Sequence, residues 1–280
     1  MRSRFLSWRT VAVDTVGRRE TAFGLDSSTF SPSMRVLPGD LQLDAQLIYK
    51  VLRTIDDLVD EGDPQAAQRI DALECWAQGQ EANTPETRIL TDLSQRHALS
   101  RAAVLEFCQG MRHDLDGATI EDEEDLERYC QQAGGSVGIM LASMFGTTHA
   151  DGERAMATLG RAFQRTNILR DIDEDHAHGR LYIARTTIGR LGPPLPGARE
   201  ALLRDQIARA DRLYDEGLRA IPLLSRGQRG MALATALYRE ILRQIERTGY
   251  GRTPGRVAVP AWRVRVLSAK HRFTRYRSAA

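Results

Sequence analysis

Gln164-Arg165-Thr166-Asn167-Ile168-Leu169-Arg170-Asp171-Ile172-Asp173-Glu174-Asp175 reads as a helix with two unlike sides. Asn167, Asp171 and Asp175 stand at successive i, i+4 steps, so they lie on nearly one face with about 6 Å of rise between neighbours. Gln164, three residues before Asn167, joins that stripe. Ile168, Leu169 and Ile172 occupy the other side and suit packing. A row of amide and carboxylate oxygens without Cys or His favours a hard cation over zinc. Few protein ligands per ion favour Mg²⁺ that also binds a phosphate.

Acid stripes are common on solvated helix faces, so one alone means little. The chain holds a second. Asp56-Asp57-Leu58-Val59-Asp60 places Asp56 and Asp60 at i, i+4, after Ile48, Leu52 and Ile55 in helical spacing. Two such helices can face each other across a cavity. Their carboxylates would then repel unless cations lay between them. That is the physical case for a polymetal diphosphate site.

The 280 residues allow one large domain or two small ones, and 42% hydrophobic content is ample for a core. A net charge of +2 provides no global field for a nucleic-acid partner. Cys75, Cys108 and Cys130 are odd in number, lack metal spacing and read as reduced residues of a cytoplasmic protein. The first residues have no sustained apolar run of signal-peptide type. No window reaches the ~20 apolar residues that cross a bilayer. The six histidines form no cluster in sequence; His176 and His178 suit a helix end, where cations are favoured.

Along the chain, Asp26 to Ser31 is rich in capping residues, with Pro32 tolerable in a first turn. Helices are predicted over 41–60, 65–82, 86–97 and 100–116, with Ser100 as a cap. Another is predicted over 155–175, closed by His178-Gly179-Arg180, and two more over 198–221 and 227–248. Leu191-Gly-Pro-Pro-Leu-Pro-Gly197 reads as a loop within one domain. Gly134, Gly135 and Gly138 ask for a reason in a helical context. A kink that opens a cavity and close helix packing are both open readings. With no β alternation, the class is all-α, a single-domain helical bundle around a central cavity.

The chain resembles the squalene/phytoene synthase family of head-to-head prenyl diphosphate synthases. The resemblance runs from about Ser27 to Pro260. It is carried by Thr29-Phe30 with Leu37-Pro38, Arg53-Thr-Ile-Asp56-Asp57-Leu-Val-Asp60, Gly110-Met-Arg-His-Asp114-Leu115, and Tyr129-Cys130 through Gly138. Gln164 through Asp175, Gly179-Arg180-Leu181-Tyr182, Tyr238-Arg-Glu-Ile-Leu242, Gly255-Arg256-Val257 and Val259-Pro260 complete it. Each block is weak alone; all of them in order are specific.

The resemblance implies an all-α isoprenoid synthase fold over 26–261, preceded by an extension over 1–25 and followed by a basic tail over 262–280. It implies that Asp56, Asp60, Asp171 and Asp175, with Asn167, hold Mg²⁺ between two prenyl diphosphates. Gln164 would support that site. Ser27, Arg53, Arg180 and Arg256 would bind diphosphate oxygens, and Tyr129 and Tyr238 would orient a leaving group. Arginine forks and Mg²⁺ both suit phosphate oxygens. The implied reaction is 1-1′ condensation through a cyclopropylcarbinyl diphosphate. NADPH use stays open, because the family has reductive and non-reductive members and no dinucleotide fingerprint is present.

The chain departs from the family pattern at Gln131, Gln132, Arg165, Ala184, Pro32 and Met34. Gln131 and Arg165 keep open a class I terpene synthase acting on one prenyl diphosphate. A non-catalytic helical partner of a prenyl enzyme is the remaining reading, against which both intact acid motifs argue. The tail from Trp262 to Arg277 mixes aromatics with cations. It reads as a solvated terminus or as a weak peripheral attachment to anionic membrane. Prenyl length and oligomeric state are not readable from the sequence.

Overall fold

The stripe of Gln164 to Asp175 lies in the second half of the longest helix, α8 (Asp151–Ala177). The computed structural model describes residues 29–274 and residue 276. Before α8 come α1 (Ser31–Met34), α2 (Gly39–Asp60), α3 (Ala66–Ala77), α4 (Pro85–Arg96), α5 (Arg101–Leu115), α6 (Glu123–Cys130) and α7 (Ser136–Phe145). After it come α9 (Arg185–Leu191), α10 (Glu200–Gly217), α11 (Gln228–Arg247) and α12 (Ala261–Phe273). A π turn, Gln131–Gly135, joins α6 to α7, and a 3₁₀ segment, Leu218–Leu223, follows α10. No strand occurs among the described residues, so the all-α expectation holds.

Local chemistry explains where the helices begin. Thr84 and Thr87 form a reciprocal capping box ahead of α4, with Pro85 in the first turn. The Ser100 hydroxyl accepts from the Ala103 N–H, as predicted for the start of α5. Asp122 accepts from the N–H groups of Glu124 and Asp125 at the start of α6.

α8 packs against α6, the π turn, α7, α10, the 3₁₀ segment and α11, and so forms the axis of the bundle. Its approach to the π turn decides the glycine question in favour of close packing. A methyl group on Gly160 would lie 2.7 Å from the Gly134 carbonyl carbon, and one on Gly138 would lie 2.8 Å from the Met156 carbonyl carbon. Backbone meets backbone there, and only glycine permits it.

Three boundaries differ from expectation. α8 begins four residues before 155, and α10 stops at Gly217, after which a 3₁₀ segment containing Pro222 takes over. The predicted helix over 65–82 is shorter, because Gln78 and Gly79 close it. α9 was not foreseen: seven residues are too few to show a period. Residues 262–273 of the basic tail belong to α12 (Ala261–Phe273) rather than to a solvated terminus. Their inner face packs on α11. Ser27 and the expected 1–25 extension lie outside the described residues.

Candidate active site

Both acid stripes stand on helices whose other side is core. On α2, Ile48, Val51, Leu52, Ile55 and Val59 are buried, which leaves Arg53, Asp56, Asp57 and Asp60 on the opposite face. On α8, Ile168, Leu169 and Ile172 are buried, while Gln164, Asn167, Asp171 and Asp175 are half-buried. Helical period thus places each stripe without any special turn.

Arginines bring the two stripes together. Arg180, just beyond α8, pairs with Asp60 of α2 and also donates to the Val59 carbonyl at 3.1 Å. Arg53 holds Asp56 at 2.8 Å and Asp57 at 2.6 Å. Arg170 makes a bidentate pair with Asp171 at 2.8 and 2.5 Å. Arg256, from the loop before α12, reaches Asp171 at 3.2 Å and Glu174 at 3.3 Å. Among the described residues no three His, Cys, Asp or Glu side chains converge closely enough to hold a metal ion. The carboxylates are instead spread among guanidinium partners.

Two carboxylates remain poorly compensated. Burial, then repulsion from Asp60, pushes Asp56 up to about 7 despite Arg53. Water still reaches 38% of the Asp56 side-chain surface, so the group sits in a narrow open cleft rather than a sealed core. Burial, then Asp171 and Asp60, pushes Asp175 up to about 7 as well. The influence of Asp60 on Asp175 runs from one stripe to the other. Nearby, the Asn167 Oδ1 is buried with no hydrogen-bond partner. An all-oxygen donor set, two under-neutralised carboxylates and an orphaned amide oxygen fit a hard cation such as Mg²⁺.

Asp114 is a hub that sequence reasoning quoted but gave no role. Its two oxygens accept from the Tyr129 and Tyr182 hydroxyls, each at 2.9 Å. The two rings stack at 4.9 Å, and the His113 ring lies 5.2 Å from Tyr129. Burial, then the Asp114 charge, raises Tyr129 well above its ordinary value, so the phenol stays protonated. Tyr238 lies at the α8 end of the site, with Arg170 beside its hydroxyl, and packs on Phe30 and Phe163. Burial raises its phenol too. Arg170 itself was missed because adjacent residues on a helix do not normally face each other.

Two cavities flank this arrangement. One, about 220 Å³, is lined by Asp114, Arg180, Tyr182 and Arg185 together with Thr119 and Ile120. The other, about 60 Å³, is apolar; Phe30, Leu37, Tyr49, Leu141, Phe145 and Met231 are among its walls. The polar cavity lies between the end of α5 and the segment after α8, and the apolar recess lies among α1, α2, α7 and α11, so that it shares α2 with the first acid stripe.

Of the departures from the family pattern, Met34 lines the apolar recess, whereas Arg165, Gln131 and Gln132 face elsewhere. Arg165 is buried and pairs with Glu123 at 3.2 Å, Glu127 at 3.0 Å and Gln206 at 2.5 Å, tying α8 to α6 and α10. Gln131 donates to Glu106 at 3.0 Å and Gln132 to Gln109 at 3.3 Å, both on α5. Cys108 and Cys130 are buried, and burial pushes both thiols up to about 12, as inert core residues require.

The site's outer loop is held by a second pair of charges that the sequence did not reveal. Arg199 is buried and grips Asp173 of α8 at 2.6 and 2.7 Å. Arg199 also donates to the Gly251 carbonyl, and Asp173 accepts from the Gly255 N–H. Arg256, next in the chain, is thereby delivered to Asp171. Arg199→Met is expected to cost about 3 kcal/mol, because Asp173 would keep a half-buried charge without its partner. Urea denaturation of the purified variant checks this, and an unchanged midpoint would contradict it.

The model of the squalene/phytoene synthase family matches residues 25–263. The chain belongs to that family. The phytoene synthase of Mycobacterium tuberculosis is 31% identical over 229 residues, 76% of each protein. The presqualene diphosphate synthase of Zymomonas mobilis is 35% identical over 178 residues, 61% of each. A solved dehydrosqualene synthase with bound ligand superposes with a TM-score of 0.79 at 29% identity, covering 88% of this chain and 91% of that one. The all-α isoprenoid synthase fold is thereby established, and the chain is a prenyltransferase of the squalene/phytoene synthase type.

Proposed function

We propose that the chain condenses two prenyl diphosphates, farnesyl or geranylgeranyl, head to head in the presence of Mg²⁺. The product would be of squalene or phytoene type, reached through a cyclopropylcarbinyl diphosphate. The observation that carries this reading is the meeting of the α2 and α8 acid stripes through Arg180 and Asp60, beside an apolar recess.

Arg53, Arg180 and Arg256 are paired with Asp56, Asp60 and Asp171. An entering diphosphate can take those guanidinium groups by bidentate hydrogen bonds. Asp56, Asp60, Asp171, Asp175 and the Asn167 Oδ1 would hold Mg²⁺, with Gln164 beside Asn167 at 3.4 Å. When bound, Mg²⁺ would neutralise the charge that gathers on diphosphate as the C1–O bond breaks. The bond's electron pair leaves with the diphosphate. The resulting allylic cation is attacked by the 2,3 double bond of the second chain, and a proton is lost as the cyclopropane closes. Tyr238, kept protonated by burial, can donate to a leaving oxygen, whereas Tyr129 would have to turn its proton from Asp114 to do so; neither can serve as a phenolate base. The apolar walls keep water from the cation.

Product mass spectrometry after incubation with farnesyl or geranylgeranyl diphosphate and Mg²⁺ tests the reading. A product with twice the substrate's carbons supports it, and parallel reactions with and without NADPH define the terminating step. A product of unchanged carbon number would refute it. Gln131 and Arg165 give the single-substrate alternative no support, since both are engaged with other helices.

Cation binding should depend on pH. Asp56 and Asp175 hold protons below about 7 and must release them to accept a cation. Apparent Mg²⁺ affinity should therefore fall as pH drops through 7. Without the cation, the folded chain keeps protons that the unfolded chain loses above its ordinary carboxylate value. Its stability should then decline as pH rises from about 4 towards 7. Thermal melts with and without Mg²⁺ should show the larger Mg²⁺-induced rise in Tm at pH 8. An equal rise at pH 6 would contradict the carboxylate roles.

A further inference from the structure

Among the described residues, six large hydrophobic side chains are exposed, and three of them, Trp262, Val266 and Phe273, belong to the thirteen-residue α12. Their exposures are 62, 50 and 81%. At ~100° per residue, the three fall within about 40° of one another on a single outward stripe. The inner face is separate: Val264 and Leu267 pack with Val36, Leu233 and Leu237. The helix is therefore already anchored to the bundle, and the outward stripe is a second apolar face that folding does not use.

The charges that α12 itself carries are all of one sign. α12 contains no acidic residue. By helical position Arg265 and Arg272 border one edge and Lys270 the other. Arg263, further round, is engaged with Glu240 at 3.1 Å. An aromatic and aliphatic stripe between two cationic edges is the pattern of a helix lying in a lipid headgroup layer. A second copy of the chain fits less well, because two such stripes face to face would oppose six unpaired cations.

We infer that α12 docks the protein on an anionic bilayer surface, Trp262, Val266 and Phe273 entering the interface while Arg265, Lys270 and Arg272 meet lipid phosphates. The inference is independent of the reaction proposed above. α11 lies directly beneath α12, and its Gly230, Met231 and Ala234 line the apolar recess. Docking through α12 would thus place that recess one helix from the membrane surface.

The test is co-sedimentation of the full chain with phosphatidylcholine vesicles, with and without phosphatidylglycerol, at low and high salt. Two triple variants accompany it: Arg265→Gln/Lys270→Gln/Arg272→Gln, and Trp262→Ser/Val266→Ser/Phe273→Ser. Binding is expected only with phosphatidylglycerol, and weaker in high salt. The charge variant should bind roughly 100-fold more weakly. The apolar variant should lose a comparable factor of about 100. Vesicle binding that is absent, equal on both lipids or indifferent to salt would overturn the inference; these readings need only the unmodified chain. So would unchanged binding by both variants, each verified as folded by circular dichroism, or self-association through the stripe without vesicle binding.

Discussion

Asp171→Asn is expected to lower kcat/KM for Mg²⁺-dependent diphosphate release by about 10³-fold, the several kcal/mol that a metal-held charge contributes to a developing anion. Asp171 lies at the centre of the α8 stripe. It is bidentate with Arg170, touched by Arg256, and one of the charges that raise Asp175. Asparagine keeps its shape and one oxygen but removes the charge. The side chain is half-buried on a helix whose opposite face carries the packing, so the fold should survive. Steady-state kinetics with circular dichroism separates the two effects. Near-normal turnover by the folded variant would remove Asp171 from the cation site.

Gly160→Ala should lower stability as much as the loss of Arg199. Alanine is the better helix former by about 1 kcal/mol, so intrinsic propensity alone favours the change. The new methyl group would, however, meet the Gly134 carbonyl group and the Gly135 Cα, the latter at 3.0 Å. Neither belongs to a side chain that can rotate away, so α8 and the π turn would have to separate. Overpacking should win by about 3 kcal/mol net, the upper end of the usual range. For a chain of this size that is a fall in Tm of roughly 6–10 °C. Gly189→Ala is the control, because beyond its chain neighbours and its own helix backbone nothing lies within 4 Å of the added methyl. That substitution should raise stability slightly. A Gly160→Ala melt at or above the wild-type temperature would contradict the close packing.

The two acid stripes were legible because helical period alone determines them. Each pairs an oxygen-bearing face with an apolar one, and both features stand in a single short stretch. The arginine network was less legible. Arg165 finds Glu123 and Glu127 about forty residues away, and Arg199 finds Asp173 across a loop. Pairings at that range depend on helix placement, which no local pattern encodes. Asp114 was visible as a residue near the end of α5, but its role needs Tyr129 and Tyr182 to converge on it from two other segments. α12 escaped notice because apolar residues lie on both of its sides, so the single-face period that marks a surface helix is absent.

The glycine run had two readings of equal force because both use the same property. Glycine permits a kink and permits contact. The π turn shows that a local distortion is present, but its consequence is the approach of α8 rather than an opened cavity. Small residues on two segments had to be seen together for that distinction. The pairing of Gly134 with Gly160 appears only once the helices are placed.

Whether two substrate molecules are joined is tested most directly by isotope mixing. An equimolar mixture of unlabelled and fully deuterated prenyl diphosphate would be turned over with Mg²⁺, and the hydrocarbon product weighed by mass spectrometry. Head-to-head condensation predicts unlabelled, mixed and fully labelled products, with the mixed species the most abundant. Products of only the two parental masses, each with the carbon count of one substrate, would mean that the paired acid stripes serve a single diphosphate.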